Sequence, residues 1–352
     1  MTGPGRVYLV GAGPGDAGLL TVRAERCLAV ADVVVHDYLV GARLLDAVRP
    51  GAEVIAVGRS HDDRARLAQE DIERLLVDRA RAGRIVVRLK NGDPFLLGRG
   101  AEEAEALRRA GVPFEIVPGV SSAVAVPAYA GIPLTHREHA SWVTIVTGHQ
   151  ACAPGAVEVS LPALPWDALA RQGGTLVFLM GMRQLPAIMA QLVAHGLPAT
   201  TPAAAVQWGT TGRQATVVAT AGSLAAEVRA SGLGPPGVIV VGSVVTLRER
   251  ARWFEERPLF GRRVVVTRPR AQAGVLAALL EEQGADVIAF PTIALAPPAD
   301  PAPLARAVAA AGTYDWILFT SVNGVRAFFD RVAADERDVR DLAGVRLAAI
   351  GP

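Results

Sequence analysis

Short runs of β-branched residues alternate with amphipathic stretches from Val7 to about Tyr129. The runs are VYLV, DVVVH, EVIAV, RIVVRL and FEIV, and a helical pattern follows each of them. The clearest helix is predicted over Glu70–Ala80, where apolar residues recur at helical spacing and charges occupy the other face. Strands that alternate with helices are typical of a parallel sheet, so we predict an α/β fold for this part of the chain.

The hydrophobic pattern changes after residue 137. The runs WVTIVT, TLVFLM, AAAVQW, QATVVAT and GVIVVG predict strands with fewer clear helices between them, which favours a second domain with a mixed sheet. The charged segment 246–258 predicts a helix that Pro258 ends, and we place a linker there. Beyond it, RRVVVTRP, a helix over about 272–283, ADVIAF and DWILFTS restart the α/β alternation.

These patterns predict two complete domains and part of a third. We expect an N-terminal α/β domain over 1–134, a domain with a mixed sheet over 135–247, a linker over 248–260 and a partial α/β domain over 261–352. The last domain stops directly after the strand-like run LAAI, where an α/β unit is expected to continue into a helix. We therefore expect the chain to be truncated at this point.

Composition narrows the class of partner. The chain has 352 residues, of which 51% are hydrophobic, so it can bury a large core. Its net charge of +2 comes from scattered charges and predicts neither a nucleic-acid partner nor a membrane surface. Cys27 and Cys152 offer no disulfide framework and no zinc spacing, so we predict packing roles and no metal. The amino terminus lacks a signal-peptide core and no apolar run approaches the roughly 18 residues of a membrane span, which predicts a cytoplasmic protein with a small-molecule ligand.

Glycine and polar residues follow each predicted strand of the first domain. These segments are Gly11–Asp16, Asp37, Gly58–Arg59, Asn91–Pro94 and Pro118–Ser122. Ligands of open parallel sheets bind beyond the carboxyl ends of the strands, so we predict a ligand cleft at this edge.

The glycine-rich loop Gly11–Asp16 has two alternative interpretations. A dinucleotide fingerprint is disfavoured, because Asp16 occupies the position of its last glycine and Pro14 removes a backbone donor. A plain strand-to-helix turn with Asp16 as the cap explains the glycines of this loop. Asn91–Pro94 can likewise be a simple turn. Neither alternative explains why every strand end of the domain carries such a loop.

Several long motifs carry a family resemblance. VYLVGAGPGDAGLLT, VVRLKNGDPFLLGRGAEE, VPGVSSAVAVPAYAGIPLTHR, VTGH, TLVFLMGM and GVIVVGSVV resemble the tetrapyrrole methylase family, specifically its uroporphyrinogen-III C-methyltransferase branch, over roughly Arg6–Leu247. From Gly261 on, GRRVVVTRPRAQAG and FTSVNGVRAFF resemble the start of uroporphyrinogen-III synthase. The resemblance implies the class III tetrapyrrole methylase fold, in which the cofactor cleft lies between two α/β domains.

The resemblance also implies a cofactor and a set of site residues. The cofactor is S-adenosyl-L-methionine, and the matching positions that would bind it are Pro14, Asn91, Gly92, Asp93, Leu96, Ser121, Ser122, Met180 and Gly209. Asp37 aligns with an acidic residue that accepts a proton in the family, because the methylated pyrrole ring must lose one. The alternative is that Asp37 only caps the next turn.

The chain departs from the family at Arg59, where a proton-donating lysine is common. Arginine is a poor general acid but pairs bidentately with carboxylates, so we hypothesise that Arg59 binds a substrate carboxylate. Asn91 stands where glycine is usual, and asparagine tolerates a left-handed backbone. His36, Arg88 and Arg99 are not counted as catalytic, because packing or paired surface charges explain them equally well.

The resemblance implies conversion of uroporphyrinogen III, a small-molecule tetrapyrrole, into precorrin-2 by two successive methyl transfers. It further implies a homodimer. The alternatives are a sister methylase that acts on a later corrin intermediate and a non-catalytic tetrapyrrole carrier. We predict no synthase activity, because the residues after Phe260 are too few for both synthase domains. The sequence leaves open whether the product feeds sirohaem or cobalamin.

Overall fold

The computed structural model describes residues 5–58, 67–149, 161–294, 296 and 298–350. The chain divides into two compact units, Met1–Thr292 and Ile293–Pro352. The first contains both large sheets and the candidate site. The α/β fold predicted from the sequence is confirmed, while the domain boundaries after residues 134, 247 and 260 stay predictions.

A parallel five-stranded sheet forms the first half of the larger unit, in the order β3-β2-β4-β1-β5. Its strands are β1 (Arg6–Gly11), β2 (Val33–Asp37), β3 (Glu53–Val57), β4 (Ile85–Lys90) and β5 (Phe114–Val117). The helices between them are α1 (Val22–Val30), α2 (Gln69–Arg81) and α3 (Gly100–Arg109). Separate hydrophobic clusters cover the two faces of this sheet. Burial on both faces explains the continuous β-branched runs in the sequence.

A mixed five-stranded sheet forms the second half, in the order β6-β7-β10-β8-β9. Its strands are β6 (Val143–Thr147), β7 (Thr175–Leu179), β8 (Pro202–Gln207), β9 (Ala215–Thr220) and β10 (Gly237–Val241). The pair β6–β7 is parallel and the other pairs are antiparallel, so the sheet is mixed, as the sequence predicted. The associated helices are α5 (Trp166–Arg171), α6 (Leu185–Ala194) and α7 (Leu224–Ser231).

Helix α4 (Ser122–Tyr129) connects the two sheets. It begins just after β5, yet its buried residues Ala123 and Val126 pack in one cluster with Val177, Val206 and Val238 of the second sheet. The loop at the amino end of α4 therefore lies where the two sheets meet.

The helix predicted over 246–258 is wrong for most of its length. Helix α8 (Arg248–Ala251) is short, and Arg252 is already extended. The rings of Trp253 and Phe254 instead lie 5.0 and 4.8 Å from the ring of Tyr129, and the indole N–H of Trp253 donates to the Ala128 carbonyl at 3.1 Å. Burial of Phe254 and the ring contacts with Tyr129 favour the extended path over the helical propensity of the charged residues around them.

The region after residue 260 begins a further α/β pattern. Within the first unit, β11 (Arg263–Val266) and β12 (Asp286–Ala289) form a parallel pair joined by α9 (Arg270–Glu282). The second unit contains α10 (Ala302–Ala309), β13 (Trp316–Phe319), α11 (Val322–Ala334) and β14 (Arg346–Ala349). Strands β13 and β14 are also parallel. In the part of the chain that the structure describes, no helix has the length and apolar character needed to cross a membrane.

Candidate active site

A cleft of about 1160 Å³ lies between the carboxyl ends of the first sheet and residues of the second sheet. Every predicted site residue that the structure describes lines this cleft: Pro14, Asp37, Asn91, Gly92, Asp93, Leu96, Ser121, Ser122, Met180 and Gly209. Arg59 lies outside the described residues, so its contact with substrate stays a prediction. Its neighbour Gly58 lines the cleft.

Glycines allow the loops of the first sheet to pack backbone against backbone. Gly13 and Gly92 exchange amide-to-carbonyl hydrogen bonds of 3.2 and 2.7 Å. A Cβ atom at Gly11 would lie 2.5 Å from the Cα of Gly119 and 2.6 Å from the carbonyl oxygen of Gly92. No side chain fits there, so close packing of the loops explains these glycines without a dinucleotide.

The carboxylate of Asp93 holds this loop assembly together. It accepts the Phe95 amide at 2.8 Å and the Gly119 amide at 3.0 Å. The side chain therefore connects the Asn91–Pro94 loop to the loop that precedes α4. Asp16 has a similar structural role, because its carboxylate accepts the Gly18 amide at 2.7 Å and caps a short 3-10 turn, as one sequence interpretation predicted.

The second-sheet wall of the cleft contains strained backbone. Met180, Trp208 and Thr210 have φ angles of 56°, 48° and 69°. Such left-handed conformations are uncommon for residues other than glycine and cluster at functional sites. Gly209 lies between two of these residues, and a Cβ atom at this position would lie 2.7 Å from Cγ2 of Val126 in α4. The wall is therefore shaped by its backbone more than by its side chains.

Asp37, at the end of β2, is held by a buried arginine. Nη2 of Arg88 donates to Oδ1 of Asp37 at 2.5 Å, and the Asn91 amide donates to the other carboxylate oxygen at 3.4 Å. The Asp37 side chain keeps 30% of its surface exposed, whereas that of Arg88 keeps 3%. Burial opposes the charge of Arg88, but the carboxylates of Asp37 and Glu103 outweigh it and raise the pKa of Arg88.

Glu103 in α3 is the centre of the buried charge network behind Asp37. Its Oε1 accepts from Arg88 at 3.1 Å, from Lys90 at 2.8 Å and from Gln69 at 3.3 Å. Its Oε2 is buried and has no hydrogen-bond partner among the described residues. Burial and the charge of Arg88 lower the pKa of Lys90, and Glu103 opposes that shift. Lys90 itself lines the cleft.

Sequence reasoning missed Lys90 and Glu103 and left the role of Arg88 open. The available signal was the pair of cations in IVVRLK, an otherwise apolar strand, since buried cations require partners. The hydrogen bond of His36 to the Asp37 carbonyl, at 3.0 Å, gives that histidine a local role. Arg99 is paired with Glu102 at 2.6 Å, one of the two explanations that the sequence left open.

One group of side chains in the described part of the chain could hold a metal ion. It consists of His136, Glu138 and His139, with ligand atoms within 4.8 Å of one another. Nδ1 of His136 already accepts the Glu138 amide at 3.2 Å. None of these residues lines the cleft, so the group does not belong to the candidate site.

Comparison with known families identifies the family of this chain. Residues 6–225 match the family model of the Tetrapyrrole (Corrin/Porphyrin) Methylases. The chain belongs to this family. Residues 274–352 match the model of Uroporphyrinogen-III synthase HemD. The resemblance predicted from the sequence motifs is thus confirmed for both parts of the chain.

Individual relatives agree with the family assignment. The chain is 41% identical to the porphyrin biosynthesis protein HemD of Ruminiclostridium josui, over 99% of this chain and 68% of the relative. It is 39% identical to the uroporphyrinogen-III C-methyltransferase of Bacillus subtilis, over 98% and 69%. It is 50% identical to the siroheme synthase of Stutzerimonas stutzeri, over 73% of this chain and 54% of that protein. The chain therefore spans about half to two thirds of these relatives.

A solved structure also resembles the first unit of the chain. The uroporphyrin-III C-methyl transferase of Thermus thermophilus, complexed with S-adenyl homocysteine, superposes with a TM-score of 0.58 at 40% identity. The match covers 69% of this chain and all of that one. The class III methylase fold predicted from the sequence is confirmed.

Proposed function

We propose that this methylase transfers methyl groups from S-adenosyl-L-methionine to carbon atoms of uroporphyrinogen III and produces precorrin-2. The observation that carries the proposal is the position of Asp37, a half-buried carboxylate in the same cleft as every described residue predicted to bind the cofactor. The names of the Bacillus and Thermus relatives support the choice of substrate.

The cleft residues fit S-adenosylmethionine, which carries an amino-acid carboxylate, a sulfonium cation and a partly apolar adenosyl group. Ser121 caps α4 by accepting the Ala123 amide at 3.2 Å, and the amino end of this helix borders the cleft at Ser122. The partial positive charge of a helix amino terminus suits the carboxylate of the ligand. Leu96, Met180 and Val126 add apolar surface. When bound, the cofactor supplies an electrophilic methyl group on sulfur.

Asp37 would act as the base for the proton that the methylated tetrapyrrole loses. Its carboxylate is within reach of the cleft, and Arg88 fixes it from the buried side, so one oxygen is held while the side chain stays partly exposed. Positioning of the base and the acceptor carbon should dominate the rate, because the transfer is a direct displacement.

Arg59 remains our proposed ligand for a substrate carboxylate, on the ground of its always-charged, planar guanidinium. A cytoplasmic homodimer is part of the same proposal and rests on the family resemblance. The siroheme synthase relative favours sirohaem as the product's destination.

Anaerobic incubation of the chain with S-adenosylmethionine and uroporphyrinogen III tests the proposal. We expect S-adenosylhomocysteine to form and the tetrapyrrole to gain the mass of two methyl groups. Cofactor binding without methylation would point to a sister substrate or to a tetrapyrrole carrier. Failure to bind S-adenosylmethionine at all would overturn the assignment of the cleft.

A further inference from the structure

Arg213 lies on the second-sheet side of the cleft and is stacked on an aromatic ring. Its guanidinium carbon lies 4.0 Å from the centre of the Trp208 ring, and both residues line the cleft. A guanidinium that stacks on an indole face keeps its N–H groups available in its own plane. Among the described arginines of the cleft, Arg213 is the one stacked in this way.

The loop that carries Arg213 is held by hydrogen bonds on both sides. The Thr210 amide donates to the Gln214 side chain at 3.0 Å, and the Thr211 hydroxyl donates to the Trp208 carbonyl at 2.7 Å. The Asp16 amide donates to the Thr210 hydroxyl at 3.2 Å and fastens the loop to the first sheet. Arg213 therefore extends from a fixed base, so its ordering costs little when a ligand binds.

Arg213 forms only a weak ion pair with its carboxylate partner, Asp286. Nε of Arg213 lies 3.5 Å from Oδ1 of Asp286, whereas Nε of Arg263 donates to Oδ2 of the same carboxylate at 2.8 Å. If Arg213 bound another anion, Asp286 would still be paired with Arg263. The loop stays in place meanwhile, because Gly212 packs against the backbone at Ala285, where an added Cβ would lie 2.7 Å from the carbonyl oxygen.

The other paired cations of the cleft form shorter or more deeply buried ion pairs than Arg213 does. Arg88 and Lys90 are buried and share Glu103. Arg99 makes two short hydrogen bonds to Glu102, at 2.9 and 2.6 Å. Arg213 combines a weak ion pair, a partly exposed side chain and a preorganised plane, which is the arrangement that suits capture of a carboxylate.

We propose that Arg213 binds a peripheral carboxylate of the tetrapyrrole and leaves Asp286 to Arg263 when it does so. This inference rests on the proposed function, because it takes the carboxylate-bearing tetrapyrrole as the ligand. It makes Arg213 a substrate-binding residue of the cleft, on the wall opposite Asp37. Asp286, in the segment that follows the linker, becomes its resting partner.

Binding of uroporphyrin III, the oxidised and stable form of the substrate, tests this role directly. We expect Arg213→Gln to weaken uroporphyrin binding roughly tenfold or more, since a charge-assisted bidentate contact is lost. The dissociation constant of S-adenosylhomocysteine should stay unchanged in the same variant. Arg213→Lys should recover only part of the loss, because lysine keeps the charge but not the planar fork.

Two further variants separate substrate binding from a structural role. Asp286→Asn removes the competing carboxylate, so tetrapyrrole binding should be kept or become tighter, whereas loss of a structural ion pair would weaken binding in both variants alike. Arg109→Gln removes an exposed charge on α3 outside the cleft and controls for net charge. Thermal denaturation establishes that each variant is folded.

The outcomes distinguish this inference from the function on which it rests. If the unchanged protein binds S-adenosylhomocysteine but no uroporphyrin, both the proposed substrate and the role of Arg213 are wrong. If it binds uroporphyrin and Arg213→Gln binds it equally well, the role of Arg213 alone is overturned.

Discussion

The two walls of the cleft are built by different means. The first-sheet wall consists of strand ends that carry charges, with Asp37, Arg88, Lys90 and Glu103 joined in one buried network. The second-sheet wall includes left-handed backbone at Met180 and Trp208 and a glycine packed against α4, and left-handed backbone also occurs on the first-sheet side at Leu97 and Arg99. One wall therefore holds a buried charge network, whereas main-chain packing forms much of the other.

This difference between the walls follows from the strand directions in the two sheets. In a parallel sheet all carboxyl ends meet at one edge, so side chains far apart in sequence converge there. In the mixed sheet, the antiparallel neighbours end at opposite edges, so fewer strand ends reach the cleft and connecting turns form part of the wall. A change in the charge network of the first-sheet wall should therefore reduce the rate or the stability sharply, and a change on the second-sheet wall should affect ligand binding.

The largest expected effect is that of Asp37→Asn. The substitution keeps the shape but removes the base, and we expect kcat to fall by about 10²–10⁴-fold. The dissociation constant of S-adenosylhomocysteine should stay the same. Single-turnover formation of the deprotonated methylated tetrapyrrole measures this step, because S-adenosylhomocysteine already forms before the proton is lost. A rate within a fewfold of the unchanged protein would remove Asp37 from the chemistry.

Glu103→Gln should cause the largest loss of stability. It leaves Lys90 and Arg88 buried with one carboxylate fewer, and breaking such a pair costs about 3–5 kcal/mol. The double variant with Lys90→Met should lose less than the single variant, because the uncompensated cation is gone. Denaturant unfolding measures both, and Glu105→Gln, an exposed glutamate on the same helix, serves as the control. If Glu103→Gln and Glu105→Gln prove equally stable, Glu103 does not hold the buried charge network together.

On the second-sheet wall, Gly209→Ala should weaken cofactor binding. The new methyl group would overlap Val126, and overpacking of this kind costs about 1–3 kcal/mol. Calorimetric titration with S-adenosylhomocysteine should show the loss. Adding Val126→Ala makes room for the methyl group and should restore binding. If the double variant binds no better than Gly209→Ala, the contact with α4 does not set the shape of this wall.

The smallest expected effect is at the junction of the walls, where the Tyr129 hydroxyl donates to Asp16 at 2.7 Å. Tyr129→Phe should lose about 1–2 kcal/mol of stability. Burial and the hydrogen bond to Asp16 raise the pKa of Tyr129, so the stabilisation is complete below the unfolded pKa of about 10 and is lost as pH rises further. The stability difference between the two proteins should shrink above about pH 10. A difference that stays constant in that range would mean that Tyr129 titrates alike in both states.

The sequence predicted the strands and the loops of the cleft well, because both leave local signals. Glycines at Gly11 and Gly92 and the polar residues at Asp37 and Asp93 directly follow β-branched runs, and parallel strands bring such ends together. These residues needed no knowledge of partners distant in sequence.

The partners themselves could not be predicted. Asp37 meets Arg88 only because β2 and β4 are neighbours in the register that pairs Val35 with Arg88. Glu103 looks like one more charge on an amphipathic helix, and only the packing of α3 buries it. The predicted helix around Trp253 failed for the same reason, since the aromatic contacts with Tyr129 are not local.

The meeting of Gly11, Gly92 and Gly119 limits how this cleft can evolve. Gly11 and Gly119 face each other's backbone and the Gly92 carbonyl, so no neighbouring side chain can shrink to admit a new one, and Gly92 has a φ of 69° that disfavours other residues. Single substitutions there have no compensating partner, and these loops must change together or stay as they are. Changes in acceptor preference are therefore expected to arise stepwise through exposed side chains of the cleft, such as Arg213, and not through these glycines.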